Sequence, residues 1–151
     1  MTEDFFDKVD AERCKRDFFF FIQEDPVYNW HIPYIAKELQ QAATRVKNKE
    51  NNPYDLLINI PPGTTKTTIC IVMYPVWIWL MYPEARILTM NYADTGAKDK
   101  SILSKDIIKS DKFKRFFPDL QIRSDIDNKD TYKNTQGGER VARGLGGSVL
   151  A

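Results

Sequence analysis

The chain has 151 residues, 42% of them hydrophobic and 28% charged, with 22 Lys and Arg against 21 Asp and Glu. This length suits one domain that buries about 70% of its unfolded surface, and abundant aromatics at near-zero net charge exclude overall disorder. The charge balance supplies no global field for DNA or an anionic membrane, and Cys14 and Cys70 form neither a CxxC pair nor a disulfide framework, which fits a reduced cytosolic setting.

The first residues, Met1-Thr2-Glu3-Asp4-Phe5-Phe6, carry the wrong charge for a signal peptide. Residues 4–23 place Phe5, Phe6, Val9, Cys14, Phe18, Phe21 and Ile22 at roughly helical spacing, and Pro26 ends the run. A second helix is expected over residues 33–47, with Ile35, Leu39, Ala42, Ala43 and Val46 on one face. Residues 48–53 are polar and end in proline, so they read as a loop. These first 53 residues make an N-terminal helical preface.

Residues 55–60, Asp-Leu-Leu-Ile-Asn-Ile, then read as a short buried strand. It enters Pro61-Pro62-Gly63-Thr64-Thr65-Lys66-Thr67-Thr68 and an apolar helix reaching Tyr82. The longest apolar run, residues 69–82, falls short of the roughly 20 residues a bilayer needs, and Pro75 interrupts it. No membrane partner is expected. Pro83-Glu84 is a turn, residues 86–91 a strand, and residues 96–110 a helix with Ile102, Leu103, Ile107 and Ile108 toward the core. Residues 113–118 close the helical region and residues 125–130 read as a polar loop. Two short strands, residues 132–135 and 139–143, are joined through Gln136-Gly137-Gly138 as a C-terminal β-hairpin.

A bound phosphate needs backbone N–H donors from a tight loop, a helix N-terminus and a lysine charge. A hydroxyl beside that lysine can ligate Mg²⁺. The segment Pro62, Gly63, Thr64, Thr65, Lys66, Thr67 and Thr68 supplies these between a predicted strand and a predicted helix. Lys66 reaches the terminal phosphates, Thr67 holds the metal, and Gly63 to Thr65 form the cradle. The pattern G-x-x-x-x-G-K-[ST] wants glycine at Ile60 and Thr65, and a β-branched residue tolerates positive φ poorly. The competing reading is an ordinary strand-to-helix turn whose threonines cap the helix.

The run Asn59-Ile60-Pro61-Pro62-Gly63-Thr64-Thr65-Lys66-Thr67 resembles the variant phosphate loop of tailed-bacteriophage terminase large subunits. Pro75-Val76-Trp77-Ile78-Trp79 resembles that family's following helix, residues 86–92 and 99–110 its second strand and helix, and residues 134–142 its glycine-rich hairpin. Trp30-His31-Ile32 falls where the family has a His-containing segment. The resemblance implies a P-loop NTPase-like α/β fold: a mostly parallel sheet with flanking helices, over residues 54–151. It implies ATP and Mg²⁺ as cofactors, with Lys66 and Thr67 at the phosphate and metal positions. Implied partners are double-stranded DNA, the portal and the small terminase subunit, in a possible ring oligomer within an infected or lysogenic bacterial host's cytoplasm.

The family's large subunit is a DNA-packaging motor with an ATPase half and a nuclease half. Its second Walker strand, ending in acidic residues, would follow Ser148-Val149-Leu150-Ala151, so a truncated ATPase core with negligible turnover is expected. Asp94, Asp125 and Asp127 do not stand in for those acids by sequence context.

Other residues carry paired readings. Trp30 and His31 stack near an adenine, or pack a helix start. Arg140 and Arg143 act as an arginine finger, or are solvated hairpin charges. Lys112, Lys114 and Arg115, among Phe113 and Phe116, touch DNA phosphate or complement a helix dipole. Trp77 and Trp79 are expected in the core, and Tyr132 is open. The rival functions are a non-catalytic interaction module of a packaging complex, and another P-loop enzyme such as a helicase or small kinase.

Overall fold

The computed structural model describes residues 2–22 and 29–145, in two compact units, Met1–Trp77 and Ile78–Ala151. Pro26, the side chains of Phe5 and Phe6, and residues 146–151, with their expected approach to a further strand, lie outside the described residues.

In the first unit the expected N-terminal helix is two helices, α1 (Thr2–Arg16) and α2 (Phe18–Ile22). Asp17 makes the break: its Oδ1 accepts the N–H groups of Phe19 and Phe20 at 3.0 and 3.3 Å, capping the second helix. Ala11, Cys14, Phe18 and Ile22 are buried at helical spacing, whereas Val9 is exposed. Helix α3 (His31–Lys47) buries Ile32, Ile35, Ala36, Leu39 and Ala43 and leaves Val46 exposed. The Phe18 ring meets Trp77 at 5.0 Å and Tyr74 at 5.4 Å between centroids. Trp77 Nε1 donates to the Cys14 carbonyl at 2.8 Å, so the indole buries its apolar body with its polar edge satisfied.

Residues 55–60 carry no strand, which corrects the sequence expectation. Leu57 is 89% exposed. A strand exists only where a neighbour takes its backbone hydrogen bonds, and apolar composition alone does not supply one. The chain instead runs back beside α3, where Tyr54 donates its hydroxyl hydrogen to Glu38 at 3.1 Å.

The apolar helix after the loop is also not uniform. A π-helical segment (Thr68–Met73) precedes α4 (Tyr74–Met81). Tyr74 N–H donates to the Ile69 carbonyl, a bond to residue i−5. Pro75 gives the reason: it has no N–H, and its ring crowds the carbonyl four residues back, so a wider turn relieves the helix.

The second unit is built on a four-stranded sheet in the order β1 (Arg86–Asn91), β4 (Glu139–Gly144), β3 (Thr131–Asn134), β2 (Ile122–Asp127). The β1–β4 pair is parallel, and β4–β3 and β3–β2 are antiparallel. The sheet is therefore mixed rather than mostly parallel, because hairpin partners outnumber the one crossover pair. The expected polar loop at residues 125–130 is half wrong, since Asp125 to Asp127 complete β2. Polar residues suit this edge position, where one side of the strand meets water.

Helix α5 (Asp94–Lys109) packs on β4 and β1, and α6 (Asp111–Phe116) follows it. The hairpin is pinned by Asn134, whose Oδ1 accepts from the N–H groups of Gln136 and Gly138 at 2.9 and 2.8 Å. Its Nδ2 donates to the Pro83 carbonyl at 2.8 Å. A Cβ on Gly138 would lie 2.3 Å from that same carbonyl, so only glycine fits.

The expected core face of α5 holds at Ile108, while Leu103 is exposed and Ile102 and Ile107 are half-buried. Ala97, Ser101, Ser104 and Lys105 are buried along with Ile108. Lys105 donates to Asp127 Oδ1 at 2.7 Å and to the Asn128 carbonyl at 2.8 Å. Lys105 and Lys109 together hold the Asp127 carboxyl below its ordinary value of 3.8. A lowered carboxyl pKa stabilises the fold above the unfolded value, and that stabilisation is lost as pH falls through the folded one. Stability should therefore drop as pH falls below about 4, and Asp127→Asn should flatten this acid limb. Urea midpoints across that range check it, and parallel acid limbs in both proteins would remove Asp127 as the cause.

Candidate functional site

Residues 61–68 form the turn that leads into the π segment. Two of them are left-handed: Gly63 at φ 78° and Thr65 at φ 61°. Glycine adopts this region without cost, and nothing lies within 4 Å of a Cβ placed on Gly63, so its glycine serves φ rather than space. Thr65 adopts it against the preference of a β-branched residue. The position where the phosphate-loop pattern wants glycine thus has the backbone that glycine would give.

The carbonyls of Ile60, Pro61, Thr64 and Thr65 are engaged, that of Thr65 by the Ile69 N–H at 3.0 Å. Thr64 Oγ1 donates to the Pro61 carbonyl at 2.7 Å, and Lys66 Nζ to the Ile60 carbonyl at 3.2 Å. The Thr64 carbonyl accepts from Thr65 Oγ1 at 2.6 Å and lies 3.0 Å from His31 Nε2. Among the described residues, by contrast, nothing accepts a hydrogen bond from the N–H of Gly63, Thr65 or Lys66. Pro61, Pro62, Gly63, Thr64, Thr65, Lys66, Thr67 and Thr68 line a pocket of about 350 Å³. Uncommitted N–H groups and a lysine around one concavity are a donor set for an anion.

Nearby groups are set for neutrality. Burial pushes the Cys70 thiol up to about 11, against the opposing pull of Lys66 one turn earlier, so it stays protonated near pH 7. Burial also raises Tyr74, whose hydroxyl donates to the Leu39 carbonyl at 2.8 Å.

The other candidates separate by environment. Trp30 is 71% exposed, while His31 is buried and committed to the loop. Tyr34, absent from the sequence reading, is 69% exposed and meets Trp30 edge-on at 6.3 Å. Its position four residues after Trp30 was the available signal. Arg140 is fully buried beside the Ser104 hydroxyl and 3.3 Å from the Tyr132 hydroxyl. Burial lowers its pKa and raises that of Tyr132. Arg143 pairs with Asp130 at 2.8 Å.

Asp94 accepts from the Gly144 N–H at 3.2 Å and pairs with Lys98, which keeps its carboxyl below the usual range. Lys112, Lys114 and Arg115 are exposed, Phe113 is buried, and Lys112 and Arg115 each lie over the Phe116 ring. Trp77 and Trp79 are core residues, as expected.

Among the described residues no three His, Cys, Asp or Glu side chains converge as a metal site, and no helix is long and apolar enough to cross a membrane. No family model, curated protein or solved structure matches the chain.

Proposed function

We propose that this chain binds Mg-ATP on the loop of residues 61–68, as the nucleotide-binding part of a viral DNA-packaging motor of the terminase large-subunit kind. The observation that carries the nucleotide reading is that the N–H groups of Gly63, Thr65 and Lys66 are uncommitted while the Pro61, Thr64 and Thr65 carbonyls around the same pocket are engaged. Lys66 exchanges the Ile60 carbonyl for phosphate oxygens, a stronger charge-assisted bond. The donor set fits a nucleotide's phosphates directly. For Mg²⁺ the loop offers the Thr67 hydroxyl, with phosphate oxygens and water as the remaining ligands, as that ion prefers. Trp30 offers an exposed face to the base. The motor assignment, the P-loop NTPase-like fold and the partners (double-stranded DNA, portal, small subunit, ring neighbours) rest on the resemblance of the loop and hairpin.

Thermal unfolding tests the nucleotide reading. A ligand at 100 times its dissociation constant adds about 2.7 kcal/mol, so saturating Mg-ATP should raise the midpoint by several degrees. An unchanged midpoint favours the second reading, an interaction module that uses no nucleotide. The exposed, unpaired apolar segment at residues 55–60 speaks for that alternative, since a partner strand could complete it.

A further inference from the structure

We propose that His31 is a positioning residue for the phosphate loop, holding the Thr64–Thr65 peptide so that the Thr65 N–H is presented to a bound phosphate. This rests on the nucleotide reading above. His31 is the first residue of α3 and is 7% exposed, although Trp30 and Tyr34 beside it face solvent. Its Nε2 lies 3.0 Å from the Thr64 carbonyl. A carbonyl only accepts, so Nε2 carries the hydrogen and donates it.

No cis peptide occurs among the described residues, so the 64–65 peptide is trans. In a trans peptide the N–H points opposite to the C=O. Holding the Thr64 carbonyl toward α3 therefore turns the Thr65 N–H away from α3. Thr65 sits at φ 61°, a conformation that persists in a β-branched residue only where the surroundings over-determine it. Among the described residues, His31 is the one side chain outside residues 61–68 that hydrogen-bonds to the loop. The buried Ile32, Ile35 and Leu39 fix α3, and the bond passes that rigidity to the loop.

Titration of Mg-ATP into the full chain tests this. His31→Phe keeps an aromatic ring but loses the donor, and should bind about tenfold more weakly, near the upper end for one hydrogen bond. His31→Gln places an amide donor near the same carbonyl and should recover to within about threefold of the wild type. Equal affinity of the wild type and His31→Phe overturns the role of His31 alone. A wild type that binds no Mg-ATP overturns the nucleotide reading and this role with it. Should His31→Phe not fold, the wild type decides the matter: His31 is the only histidine, so nitrogen-correlated imidazole spectra read it directly. The neutral ring is expected as the Nε2–H tautomer, and the Nδ1–H tautomer overturns the proposal.

Discussion

Lys66→Ala should weaken Mg-ATP binding by roughly 10- to 100-fold while leaving the chain folded. The magnitude follows from losing hydrogen bonds between an ammonium and phosphate oxygens, about 1.5–3 kcal/mol, at 1.4 kcal/mol per decade of affinity. The fold loses little, because the half-buried Lys66 makes one bond to the Ile60 carbonyl, at 3.2 Å. That bond also sharpens the expectation. In the ligand-free chain the ammonium rests on a neutral acceptor, which a phosphate outcompetes, so the lysine contributes more to the bound state than to the empty one. Calorimetric titration of both proteins measures the difference, with unfolding midpoints confirming that each is folded. A Lys66→Ala chain that binds like the wild type would sink the phosphate reading of this loop.

The loop was legible in the sequence because its demands are local. Gly63 and Lys66 carry their chemistry wherever the chain turns, and the hairpin announces itself through Gln136-Gly137-Gly138 in the same way. Thr65 was harder to read: its side chain argues against positive φ, yet it sits at φ 61°, next to the Thr64 carbonyl that His31 meets from outside the loop. That partner lies 33 residues away, and no local pattern encodes it.

The failures have the same origin. Residues 55–60 have strand composition, yet strand formation is decided by a partner, and they carry no strand. In α5 the period was right and Ile108 is buried as expected, but the rest of the buried face falls on other residues. Ile102, Leu103 and Ile107 outweigh serine and lysine on any hydropathy count, but the sheet face carries Tyr132, Asn134 and Arg140, which need small and polar neighbours. Ser101, Ser104 and Lys105 answer that need, with Lys105 over the Tyr132 ring at 5.3 Å. A buried polar layer inverts the hydrophobic pattern that periodicity relies on.

Arg140, read from sequence as a finger toward phosphate or as a solvated charge, sits in this layer, and its substitution should have the largest effect on stability in the second unit. Arg140→Ala should cost about 3 kcal/mol, combining the cavity left by a long buried side chain with the loss of hydrogen bonds to Ser104 and Tyr132. Arg140→Met keeps most of the volume and removes the cost of holding a guanidinium away from water, so it should be close to neutral or stabilising. Arg143→Ala, beside the partly exposed Asp130 pair, should cost about 1 kcal/mol or less. Urea midpoints at constant slope rank the three, and an Arg140→Ala protein as stable as the wild type would remove the structural role. The methionine variant separates packing from phosphate chemistry. A finger must reach its ligand, and Arg140 is fully buried, so Arg140→Met should bind Mg-ATP as the wild type does. A folded Arg140→Met chain that loses Mg-ATP affinity would return the finger role to this residue.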